Sequence, residues 1–193
     1  MENKIILLKG PTACGKTDHA SKLVKNHPLE IISVDSVMVY KGLDIGSAKP
    51  TSEELKLCPH HLIDVCEPTE NYSAGEFYQD VQRVMQSIIR KGKIPFLVGG
   101  TMMYFRVLEQ GISQLPSANP TVRNQINYEA AANGWAKLHQ ELQRIDPTAA
   151  KRIDPSDKQR IQRALEVHRI TGKPISSFHG ERKQPIDYQR LNL

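Results

Sequence analysis

A chain of 193 residues with 39% hydrophobic and 24% charged residues has the makeup of a globular protein that buries one good core, with room for a small inserted lobe. No apolar stretch nears the length of a membrane span, Met1-Glu2-Asn3-Lys4 has no secretory design, and three cysteines argue against a disulfide framework and for a reducing cytosol. The net charge of +5 is unevenly spread: residues 1–122 carry thirteen cations and thirteen anions, so the whole excess lies beyond them and suggests a polyanionic partner there.

The run Ile5-Ile6-Leu7-Leu8 reads as a buried parallel strand. It leads into Gly10-Pro11-Thr12-Ala13-Cys14-Gly15-Lys16-Thr17, which matches the phosphate loop G-x-x-x-x-G-K-[ST]. Ala20, Leu23 and Val24 then fall on one face of a helix. Strand, glycine turn and helix N-terminus together aim backbone N–H groups at one spot, which favours an anion. Lys16 adds a point charge for the outer phosphate, and the Thr17 hydroxyl is a natural Mg²⁺ ligand. The eight residues from Gly10 to Thr17 are therefore expected to bind a phosphorylated compound.

A second strand, Glu30 to Val34, ends on Asp35-Ser36. Polar groups just past the carboxyl end of a parallel strand sit where open α/β sheets place their ligands. Tyr40 to Pro50 is a long polar connector with two glycines, which favours a ligand-facing role. Cys58, His60, His61 and Cys66 raise the question of zinc, but their spacing matches neither C-x₂-C nor H-x₃₋₅-H. Leu62 to Val65 reads instead as strand, with His61 and Cys66 on opposite faces. Ser73 to Lys91 is the clearest helix, opened by a Ser73/Glu76 capping box and closed by Gly92. Ile94 to Val98 is a further buried strand, and Gly99-Gly100-Thr101 after it allows close backbone approach and offers a hydroxyl. A helix from Met102 to Gln110 follows.

Pro116, Ser117, Asn119 and Pro120 mark a linker, and beyond it only helices are expected. Asn119-Pro120 starts one that Gly134 ends. Trp135, Leu138, Leu142 and Ile145 share a face of the next, and Asp146-Pro147 starts a third. Asp154-Pro155 opens another, Ser156 to Thr171, with Gln159, Arg160 and Arg163 within one turn. Asp187 to Leu193 resembles a strand cut off as it begins. The expected architecture is an α/β fold with a parallel, phosphate-loop NTPase-like sheet core and a small all-helical insertion. Its predicted divisions are residues 1–112, 113–153 and 154–193.

Three strand ends would thus present the phosphate loop, Asp35-Ser36 and Gly99-Gly100-Thr101 on one rim. That arrangement suits group transfer from a phosphorylated donor. A small-molecule kinase using ATP, with Asp35 accepting a hydroxyl proton, and a displacement of pyrophosphate are both open at this level.

The ordered strings are more specific. Gly10 to Thr17, Asp35-Ser36 with Val39-Tyr40, Asp44 to Pro50, His60 to Asp64, Val98 to Thr101, Asp157 with Gln159 to Val167, and Thr171 to Pro174 together resemble the tRNA dimethylallyltransferase (tRNA isopentenyltransferase) family along nearly the whole chain. The resemblance implies a cytoplasmic, monomeric enzyme whose partners are dimethylallyl diphosphate and the anticodon stem-loop of tRNAs reading codons that begin with U. It would prenylate the N6 amine of the adenosine just 3′ of the anticodon. Lys16, Thr17 and Mg²⁺ would carry the charge of departing pyrophosphate, Asp35 would act as general base, and Thr101 would bond the tRNA beside the channel. Asp35, Ser36, Val37, Met38, Arg123, Gln159, Arg160, Ile161, Gln162 and Arg163 match tRNA-contacting positions. Met38 replaces the family's usual glutamine, and Met102-Met103 its frequent glycine-leucine. Members run well past the point where this chain stops, and the extra part carries a further diphosphate-contacting arginine, so a tRNA-binding fragment with impaired catalysis is the third reading.

Overall fold

The computed structural model describes residues 4–11, 14–179 and 188–193. The chain divides into two compact units, Met1–Ile112 with Gln184–Leu193 and Ser113–Lys183.

The first unit is built on five parallel strands: β1 (Lys4–Lys9), β2 (Leu29–Val34), β3 (His60–His61), β4 (Ile94–Gly99) and β5 (Gln189–Asn192), in the order β3-β2-β4-β1-β5. The central strands β2 and β4 pair over their full length, from Leu29 opposite Ile94 to Val34 opposite Gly99. Their near-continuous apolar runs are what a sheet covered on both faces requires. Alternate residues divide between the two faces. Ile5, Leu7, Ile32, Val34 and Leu97 pack with α3 (Ala74–Arg90) and α4 (Met102–Gln110), through Phe77, Val81, Met85, Ile88 and Tyr104. Ile31, Phe96 and Val98 pack on the other face with Ala20, Leu23 and Val24 of α1 (Lys16–Asn26). This is the expected parallel α/β core with a phosphate-loop NTPase-like fold.

Most helix ends obey their local chemistry. Ser73 and Glu76 form the expected capping box of α3. A second box was not anticipated: Thr51 and Glu54 start the short α2 (Ser52–Leu57). The predicted strand at Leu62 to Val65 does not form, since pairing stops at His61 and Leu62 and Asp64 take positive φ values of 62° and 54°. A left-handed residue turns the chain out of the extended path, and the segment instead folds back beside residues 38–41.

In the second unit α5 (Pro120–Asn133), α6 (Trp135–Ile145), α7 (Pro147–Ala150) and α8 (Lys158–Thr171) enclose Ile126, Ala130, Leu138, Leu142, Ala150, Ile161, Ala164 and Leu165. Helix α8 begins two residues later than predicted. Asp154 is spent on the amide and hydroxyl of Ser156, and Asp157 caps the helix by accepting from the Arg160 amide at 3.0 Å. Expected to return with the core, α8 packs with α5 and α6 in the second unit, and the stretch Ile175–His179 forms a 3-10 turn there. The final strand forms as β5 on β1; Asp187, its predicted first residue, lies outside the described residues. No helix among the described residues is long and apolar enough to cross a membrane.

Candidate active site

The carboxyl ends of β1, β2 and β4 open into a cleft of about 310 Å³ within the first unit. Gly15, Lys16, Thr17, Asp18, Ser33, Asp35, Met38, Gly99 and Gly100 contribute to its lining, as do Ser47, Ala48, Pro50 and His60. Lys16, Thr17 and Asp35, widely separated in sequence, thus meet in one space.

Gly15 is the N-cap of α1 at φ 80°, a left-handed conformation that L side chains rarely adopt, and it offers no side-chain cap to the first-turn amides. Those amides and the helix dipole suit an anion. Lys16 Nζ donates to the Pro11 carbonyl and lies 3.6 Å from Cys14 Sγ, so its charge is folded back over its own loop. Gly10, Pro11 and Cys14 lie outside the residues that line the cleft, the Gly10 amide reaching the Gly99 carbonyl at 3.4 Å. Thr12 and Ala13, the other two predicted loop residues, lie outside the described residues.

Gly99 answers a packing demand: a Cβ there would stand 2.0 Å from the Val34 carbonyl oxygen. The tight approach lets the Thr101 amide donate to that same oxygen at 3.2 Å. Thr101 Oγ1 then accepts from the Ser36 amide at 3.0 Å. Its hydroxyl therefore ties the end of β4 to the turn after β2, and Thr101 is not among the residues lining the cleft. Asp35 Oδ1 accepts from the amides of Val37 at 2.8 Å and Met38 at 3.2 Å, capping that turn. Met38, which stands in place of the family's usual glutamine, lines the cleft, and its sulfur lies 3.7 Å from the Ser33 hydroxyl, which donates to it. Ser36 and Val37 are exposed.

The wall formed by residues 47–50 and by His60 was assigned no role from the sequence beyond the ligand-facing expectation for the long loop. Lys49 organises it: Nζ, on a side chain only 3% exposed, donates to the Tyr40 carbonyl at 2.8 Å and to Asp44 Oδ1 and Asp64 Oδ1, both at 2.7 Å. Burial lowers the His60 pKa, and its Nδ1 donates to the Cys58 carbonyl at 2.6 Å, which leaves Nε2 as the accepting nitrogen of a neutral ring. His61 pairs instead with Glu30 at 2.9 Å. Burial, then Glu70, pushes the Cys66 thiol up, away from the thiolate a zinc ion needs. Among the described residues no three His, Cys, Asp or Glu side chains gather as a metal-binding group.

The residues predicted to face RNA on α5 and α8 divide in two. Gln159 and Arg160 are exposed, Arg160 pairing loosely with Asp157 at 3.4 Å, and Gln162 donates to Asn127 at 2.7 Å. Ile161 is not on that surface, because its side chain is fully buried in the helical core. Arg123 and Arg163 are turned inward to Glu166, which is 0% exposed: Arg123 grips it at 2.9 and 3.2 Å, and Arg163 at 2.6 Å. Burial alone would raise the Glu166 carboxyl, but Arg123, the Asn119 amide and Arg163 hold it below its usual value.

A family model described as IPP transferase matches residues 38–193. The chain is 55% identical over 190 residues to a tRNA dimethylallyltransferase of Coxiella burnetii, covering 98% of this chain and 61% of that protein. It spans about three fifths of the length of the curated relatives it matches. Among solved structures it resembles a tRNA delta(2)-isopentenylpyrophosphate transferase of Staphylococcus epidermidis (34% identity, TM-score 0.58, 98% of this chain and 62% of that one). It also resembles a eukaryotic dimethylallyltransferase acting on tRNA, at 28% identity and TM-score 0.79, covering 99% of this chain and 48% of that one.

Proposed function

The chain belongs to the IPP transferase family, and on that premise we propose that it transfers a dimethylallyl group from dimethylallyl diphosphate to the N6 amine of the adenosine 3′-adjacent to a tRNA anticodon. One observation carries the proposal: Lys16 and Thr17, suited to a diphosphate, line the same cleft as Asp35, suited to an amine. The diphosphate takes the first-turn amides of α1, and Lys16 swings from the Pro11 carbonyl to its outer oxygens. The adenosine leaves its stack to enter the cleft, since its amine is unreachable within the loop. Asp35 accepts a proton from that amine as the N6–C1 bond forms and the bond from C1 to the diphosphate oxygen breaks. Products are N6-(dimethylallyl)adenosine and diphosphate.

Thr17, Asp18 and Asp35, oxygen-bearing residues of the one lining, are of the kind that fits Mg²⁺, which keeps waters and substrate phosphates as most of its ligands. Thr17 is the residue to hold it, and when bound it neutralises charge on the leaving diphosphate. Outside the cleft, the surplus of positive charge and the exposed Gln159 and Arg160 of α8 serve the anticodon stem-loop. We place the protein in the cytoplasm as a monomer.

The test offers the chain two reactions side by side. With dimethylallyl diphosphate and unmodified tRNA, nucleoside mass spectrometry is expected to find dimethylallyladenosine; with ATP and small hydroxylated acceptors, no acceptor-dependent ADP. The reverse pattern would make it a kinase. Binding of tRNA with neither product would leave the fragment reading.

A further inference from the structure

We propose that Lys49 is a positioning residue that sets the wall that residues 47–50 contribute to the cleft. The inference rests on the donor assignment above and concerns a side chain to which no role has been given. An ammonium group has three protons, and all three are committed, to the Tyr40 carbonyl, Asp44 and Asp64. None is left for a substrate, so Lys49 acts through what it holds.

What it holds is strained. Among the described residues, the non-glycine residues with positive φ are Ala48 at 55°, Leu62 at 62° and Asp64 at 54°. Ala48 adjoins Lys49 in the chain, Asp64 carries one of the two carboxylates that Lys49 binds, and Leu62 stands two residues before it. Such conformations persist where the surroundings over-determine them, and they gather at ligand clamps. Further bonds tie the loop after β3 to the turn that carries Asp35 and the residue after it: the Asp64 amide donates to the Met38 carbonyl at 3.1 Å, and Val65 to that of Val39 at 2.8 Å. The Ser47 hydroxyl donates to the Asp44 carbonyl at 3.0 Å and accepts from the Lys49 amide at 3.3 Å. Ser47, Ala48 and Pro50 line the same cleft as Lys16 and Thr17. Lys49 is thus the common fastening of the wall and of the turn behind Asp35. With its charge removed, two carboxylates lose their shared cation and the left-handed residues relax, which widens the cleft around its anion.

Isothermal titration of the 193-residue protein with dimethylallyl diphosphate tests this. For Lys49→Met the dissociation constant is expected to rise at least tenfold while circular dichroism remains that of the folded protein. Asp64→Asn, which keeps an oxygen for Lys49 but removes the negative charge at an exposed carboxylate, is expected to weaken binding several-fold. A lysine that merely stabilises the fold would lower the melting temperature and leave the dissociation constant unchanged; that result overturns the inference. If Lys49→Met does not fold, Asp64→Asn decides, and wild-type affinity there is equally fatal. Failure of the unaltered protein to bind dimethylallyl diphosphate overturns the donor assignment and, with it, this inference.

Discussion

One carboxylate oxygen of Asp35 caps the turn after β2 through Val37 and Met38, so the residue serves local structure as well as any chemistry in the cleft. Alanine removes both services at once, whereas asparagine keeps an oxygen for the two amides and removes the base. Asp35→Asn is therefore expected to unfold within about 0.5 kcal/mol of wild type, and Asp35→Ala about 1 kcal/mol below it, by urea titration. Transfer should fall by roughly 10²-fold or more in both. Equal transfer by Asp35→Asn and wild type would remove the base from the mechanism. Gly99 makes a different demand. A methyl group 2.0 Å from the Val34 oxygen cannot be absorbed by side-chain movement, so Gly99→Ala should cost about 3 kcal/mol or more in the same titration. The need for glycine near a ligand was legible in the chain, but the reason was not: the atom that excludes a side chain belongs to β2, sixty-five residues away in sequence.

At the scale of elements, helix ends were easiest to foresee, because capping depends on residues three or four apart. Asn119-Pro120, Ser73 with Glu76, and Gly134 all behave as their local chemistry dictates. The errors lie where a nearby polar side chain has two uses, as at Asp154, or where a left-handed residue ends a strand, as at Leu62. Lys49 and Glu166 illustrate a third kind. Spacing accounts for only one partner of each, Asp44 and Arg163; Asp64 and Arg123 arrive from distant parts of the chain. Glu30 on β2 is a further case, gathering His61 of β3 with Lys91 and Lys93 from the turn before β4. Burial opposes its charge, but those three partners outweigh it and lower its pKa to about 2. A depressed carboxylate stabilises the fold above its unfolded value near 4.5, and that contribution is lost as pH falls from there through about 2. With Lys91 and Lys93 about half exposed, screening limits it to roughly 1 kcal/mol. Glu30→Gln should then melt below wild type at pH 7 and converge with it by pH 2; a constant gap would show that the ion cluster is not its source.

For the whole molecule the division of labour follows charge. The first unit carries the cleft, and the second carries most of the positive excess together with a buried acid. Arg163 reads with Arg160 as a phosphate surface in sequence, and Arg123 matches a tRNA-contacting position, but Arg123 and Arg163 are already engaged by Glu166. Removing Arg123 strands part of a buried charge, so Arg123→Ala should destabilise the second unit by about 3 kcal/mol. Arg160, with its side chain 72% exposed, is the cleaner probe of RNA contact. Arg160→Ala should leave stability unchanged and make the logarithmic salt slope of tRNA binding shallower by about 1. An unaltered slope would take α8 off the RNA surface. The central claim, that one cleft seats the diphosphate and turns its prenyl carbon toward Asp35, is tested most directly by a crystal structure with dimethylallyl diphosphate. Density for the diphosphate against the Gly15–Thr17 amides, with C1 on the Asp35 side, is the predicted result; diphosphate bound elsewhere, or C1 directed away from Asp35, would contradict it.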